Sequence, residues 1–186
     1  MACRLITNTN MHNVHHGHEQ QRTIAKGQHD ALHHSHTNFP PAIGGMQLVM
    51  SALAKKLSKN APVIIYPDTH VKMTGVSIKH TAMMKPLRPL VKRFHLWRSL
   101  QDDDIIICDS WRSLNAIPET NCPIIVLAHG QEFIISKPTK IARVQKLLKK
   151  ATHLIASSRD TLQRASTVID TTHLYTSVIA PTYGIT

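Results

Sequence analysis

Five short, continuous apolar runs follow one another through the chain: APVIIYP, DDDIIICDS, CPIIVLAHG, THLIASS and TSVIAPT. Each has the length of a strand, and runs of this kind fill a parallel sheet buried on both faces. Segments of helical period lie between them. MQLVMSALAKKL places Met46, Val49, Met50, Leu53 and Leu57 on one face, just before APVIIYP. SKPTKIARVQKLLKKA sets Ile141, Val144, Leu147 and Leu148 opposite Lys140, Arg143, Lys146, Lys149 and Lys150. Strands alternating with helices predict an α/β fold, a three-layer domain with a mostly parallel sheet and right-handed crossovers.

Composition narrows the partners. At 186 residues the chain has room for one domain with a sizeable core, and 42% hydrophobic against 4% aromatic content makes that core aliphatic. The formal charge of +11 favours an acidic partner: nucleic acid, a phosphorylated small molecule or an anionic membrane surface. Nucleic acid is disfavoured, because no helix-turn-helix pattern, zinc-finger spacing or aromatic RNA-binding motif occurs. No apolar run is long enough to span a bilayer, and the start MACRLITNTNMHN lacks a secretory signal core, so a cytoplasmic location is expected. Cys3, Cys108 and Cys122 are an odd number, the last two in or beside apolar runs, and read as reduced and buried.

Residues 1–38 stand apart. They carry eight of the fourteen histidines, in a polar setting without apolar periodicity, and read as a poorly ordered or atypical segment ahead of a folded unit at residues 39–186. HHGH and HHSH can hold transition metals loosely, but no paired Cys or carboxylate spacing defines a closed metal site. One later segment, MKPLRPLVKRFHLWRSL, has two readings. Leu87, Leu90, Val91, Phe94 and Trp97 fall on one helical face and Lys85, Arg88, Lys92 and His95 on the other. The helix either packs its apolar face on the sheet with a solvated basic face, or lies on the surface against anionic lipid.

In an open α/β sheet, ligands bind beyond the carboxyl ends of the strands. The residues there are Asp109, Ser110 and Trp111 after IIIC, His129 to Glu132 after IIVLA, and Ser157 to Asp160 after LIA. Gly44 and Gly45 open the first helix, where backbone N–H groups and the helix dipole form a cradle for phosphate or carboxylate, although a tight turn alone also needs glycine. Neither GxGxxG nor a Walker loop occurs, so ordinary dinucleotide and ATP binding are not supported. His129 is either a general base or hydrogen-bond donor facing the cleft, with Asp109 and Glu132 as candidate partners, or a polar cap on its strand. Ser158 reads first as the cap of the helix that follows it.

Taken in order, PPAIGGMQLVMSALAKKL, IIICDSW, PIIVLAHGQEF, KLLKKATHLIASSRDT and SVIAPTYGI resemble the N-terminal domain of family 4 glycosyltransferases, over residues 39 to 186. The resemblance implies a Rossmann-like domain, one half of a GT-B fold, in an enzyme that moves a sugar from a nucleotide-diphosphate sugar to a glycan or lipid-linked acceptor without a required metal. It implies that Gly44 and Gly45 lie near the donor diphosphate, His129 near the reacting sugar, and Ser158 in the motif that opens the later helix. It also implies a C-terminal donor-binding chain as partner and a peripheral position on the inner face of a membrane.

Two departures set further expectations. The second, donor-binding domain of the family has no counterpart in this sequence, so the isolated chain is expected to be inactive and to be a truncated or rearranged product. The family places a first strand directly before the Pro-Pro-Gly-Gly loop, where this chain has QHDALHHSHTN; either a long loop intervenes from CRLIT or the strand is missing or replaced. The competing function is a non-catalytic basic module that binds anionic lipid or another polyanion.

Overall fold

A computed structural model describes residues 32–36, 45–68, 71–81 and 85–180. Its strands are β1 (Leu32–His36), β2 (Val63–Pro67), β3 (Ser77–Ile78), β4 (Ile106–Cys108), β5 (Ile124–Ala128), β6 (His153–Ala156) and β7 (Tyr175–Val178). They form one seven-stranded sheet of order β3-β2-β1-β4-β5-β6-β7, every neighbouring pair parallel. This is the order of a doubly wound sheet, whose direction of progression reverses between β1 and β4. The fold is α/β and Rossmann-like, as the alternation of runs and helices predicts.

Among the described residues four α-helices cover the sheet: α1 (Gly45–Leu57), α2 (Arg88–Ser99), α3 (Pro138–Leu148) and α4 (Arg159–Val168). Side chains alternate across a strand, so the two faces sort by residue parity. Val63, Ile65 and Ile107 pack with Ala54 and Leu57 of α1. Ile106, Cys108, Ile124, Val126, Leu154 and Ala156 meet Leu96 of α2, Val144 and Leu148 of α3 and Ala165 of α4 on the other face. Trp111 and Leu114, in the 3-10 turn Trp111–Ala116 after β4, join this larger core. Cys108 and Cys122 are free and buried; Cys3 lies outside the described residues.

The sheet begins earlier than the sequence reading places it. LHHSH, inside the segment set apart from the fold, is β1, with Leu32 opposite Val63, and His34 opposite both Ile65 and Ile107. The strand before the glycine pair is therefore present, and residues 37–44 connect it to α1; no long loop from CRLIT intervenes. Three histidines in five residues conceal a strand that in most parallel sheets is an apolar run.

The second difference concerns α2. Its sheet-facing stripe is Lys92, Leu96 and Ser99, and its apolar stripe points away: Leu90 is 63% exposed, Phe94 51% and Trp97 68%, against 3% for Lys92. Two polar contacts hold it so. The Lys92 ammonium lies 2.6 Å from a carboxylate oxygen of Asp68, directly after β2. The Tyr66 hydroxyl donates to Ser99 Oγ at 2.9 Å, and Ser99 donates onward to the His95 carbonyl at 2.8 Å. Neither sequence reading of this segment buries its lysine.

Candidate functional site

A cleft of about 440 Å³ opens at the carboxyl ends of the strands. One wall is α1, through Gly45, Met46, Val49 and Leu53; the other comes from the ends of β5 and β6, through Leu127, His129, Ile155 and Ser157. Ile179, just past β7, closes one side. The lining is mainly apolar, with a few polar groups set into it, which is the usual make-up of a small-ligand site. Gly45 is the first residue of α1, so the helix N-terminus, the positive end of its dipole, borders the cleft. Gly44 lies outside the described residues.

His129 follows β5 directly. Its Nε2 is 3.2 Å from the backbone carbonyl oxygen of Asp109. A carbonyl accepts and never donates, so Nε2 carries the proton, and Nδ1 is the basic atom of the neutral ring. Both carboxylates considered as partners of the imidazole have other contacts. Glu132 accepts the backbone N–H of His129 at 2.8 Å, and its own carbonyl accepts from the Trp111 indole at 3.4 Å. The buried Asp109 carboxylate accepts from the Ser113 hydroxyl. Asp109 thus holds the ring through its main chain, and Glu132 holds the turn on which the ring sits.

That turn requires glycine. Gly130 has φ 101°, and a Cβ there would stand 2.9 Å from Thr161 Oγ1. The contact seats the 129–133 turn against the start of α4. Ser158 is the N-cap of α4: its Oγ accepts the Thr161 N–H at 3.1 Å and donates to Thr161 Oγ1 at 3.0 Å. Its neighbour Ser157 is the serine that lines the cleft, its hydroxyl 3.3 Å from the same threonine oxygen. Gly45 and His129 therefore face one volume, while Ser158 borders it through the helix it caps. Sequence reasoning set Ser157 at its strand end but gave it no role, and passed over Ile155 and Leu127; strand parity marks these two, since they alternate with the buried Leu154, Val126 and Ala128.

Among the described residues no three His, Cys, Asp or Glu side chains converge as metal ligands. HHGH lies outside the described residues, and HHSH forms most of β1.

Fold and cleft together define a Rossmann-like α/β domain with a ligand-sized site at the carboxyl edge of its sheet. No family model matches the chain, and no curated protein matches it.

Proposed function

We propose that this domain is the acceptor-side half of a GT-B glycosyltransferase that moves a sugar from a nucleotide diphosphate to a glycan or lipid-linked acceptor on the cytoplasmic side of a membrane. One observation carries the reading: the N-terminus of α1 and His129 line the same cleft. An anion-binding element and a proton-handling group then act on one bound molecule.

In this reading the backbone N–H groups at Gly44 and Gly45 hold the donor diphosphate, and the helix dipole offsets its charge without a required metal. His129, oriented by the Asp109 carbonyl, offers Nδ1 to the reacting sugar or its acceptor hydroxyl. Ser158 acts by setting the start of α4, beside Ser157 in the cleft wall. The donor base and sugar are held chiefly by a second, donor-binding domain, in the same or a separate polypeptide, and the present chain alone turns over little or nothing.

Titrating 15N-labelled protein with UDP, GDP and their sugar conjugates tests this reading. The amides of Gly45, Met46, His129, Gly130 and Ser157 should shift together, while nucleosides without phosphate leave them in place. Shifts scattered over the surface, or none, would contradict it. The exposed stripe of α2 also favours contact with anionic lipid, and that contact does not depend on sugar transfer.

A further inference from the structure

The outward face of α2 has the composition of a buried one. Leu90, Phe94 and Trp97, spaced three and four residues apart, form a single stripe at about 100° per residue. Arg93 and Arg98 fall on its two flanks, and the Arg98 guanidinium lies 5.6 Å from the centre of the Phe94 ring. Beside the stripe a groove of about 420 Å³ runs to Pro118 and Glu119. The acid there is matched, since Lys150 approaches Glu119 at 3.3 Å.

The orientation of the stripe is built in. Turning α2 to bury Phe94 and Trp97 would pull Lys92 from Asp68 and Ser99 from Tyr66, contacts of 2.6 and 2.9 Å. The helix is thus pinned with its apolar side outward.

We infer that α2 docks on an anionic membrane surface, with Leu90, Phe94 and Trp97 entering the acyl boundary and Arg93 and Arg98 reaching lipid phosphates. Charge selects this occupant. A second copy paired about a two-fold axis would bring the patch against itself and set arginines against arginines. An anionic bilayer supplies apolar depth and negative charge in one plane, where tryptophan and arginine both settle. Among the described residues no helix is long and apolar enough to cross a membrane, so α2 lies along the interface.

Tryptophan emission reads this contact directly. The chain has two tryptophans; Trp97 is exposed and Trp111 buried. Vesicles of phosphatidylcholine mixed with phosphatidylglycerol should sediment the protein, shift its emission to the blue and, with brominated acyl chains, quench it. Vesicles of phosphatidylcholine alone should do far less. Trp97→Phe should abolish the quenching while sedimentation persists. Phe94→Ser with Trp97→Ser should weaken sedimentation by about tenfold or more, and Arg93→Gln with Arg98→Gln by roughly tenfold, most visibly at low salt. These positions are exposed, so the variants keep the native circular dichroism. Indifference to phosphatidylglycerol, variants that sediment like the wild type, or a blue shift that follows protein concentration without lipid would overturn the inference, the last in favour of self-association.

Discussion

Lys92 and Asp68 form an ion pair at 2.6 Å beneath α2, with side-chain exposures of 4% and 13%. Burial pushes the Lys92 ammonium below the ordinary lysine range, and the nearby Asp68 carboxylate pulls it back up. The pair decides which side of α2 meets the sheet. It also sets the first expected outcome: Asp68→Ala leaves a buried cation poorly compensated and should destabilise by about 3 kcal/mol or more, whereas Lys92→Met removes the charge with its burial cost and should lose less. Urea unfolding of the two variants checks the order, and equal losses would contradict it.

Gly130 is the second test. Alanine there meets both the positive φ and the 2.9 Å approach to Thr161 Oγ1, so Gly130→Ala should destabilise by about 1–3 kcal/mol. Adding Thr161→Ala removes the contact but leaves the backbone strain. The double variant should therefore lose less than the two single losses added together, which thermal melts will show.

Ser158 separates a cap from a ligand contact. Ser158→Ala should cost about 1 kcal/mol of stability, and Ser158→Asp, which still accepts the Thr161 N–H, should restore most of it. If the hydroxyl acts on the cleft through α4 alone, nucleotide shifts in the aspartate variant should match the wild type.

Alkaline pH gives a fourth. Burial pushes the Cys108 thiol up to about 12 from 9.0 and the Tyr66 phenol up to about 12 from 10.0. The unfolded chain releases these protons at the ordinary values while the native protein keeps them, so stability falls as pH rises from 9 toward 12. Lys92, held below its ordinary range, acts in the opposite sense over its own interval. Cys108→Ala should flatten the alkaline limb of stability against pH even where it lowers the plateau; an unchanged slope would contradict the assignment.

Most strands that the sequence reveals pack their side chains on helices; β7 is the exception, legible in TSVIAPT although all four of its residues are exposed. β4, β5 and β6 announce themselves because Ile106, Val126 and Leu154 must be apolar. β1 is held by main-chain pairing on both sides, which histidine permits as well as valine, so its pattern is silent. β3 has two residues, too few for a period. Of the two readings of α2, the one that packs its apolar face on the sheet fails, because hydrophobicity cannot foresee that Asp68 stands ready to receive a lysine. At the cleft, Gly45 and His129 are legible from their places at element ends. Ser157 and Ser158 are adjacent and alike, and the capping geometry of α4 tells them apart.

The most direct test is nucleotide-sugar turnover by this chain combined with a donor-binding GT-B domain, with release of UDP or GDP in the presence of glycan and lipid-linked acceptors as the readout. Little turnover is expected from either part, turnover from the two together, and a loss of about 100-fold on His129→Ala. A combination as silent as its parts across the donors, or turnover indifferent to His129→Ala, would contradict the proposed function.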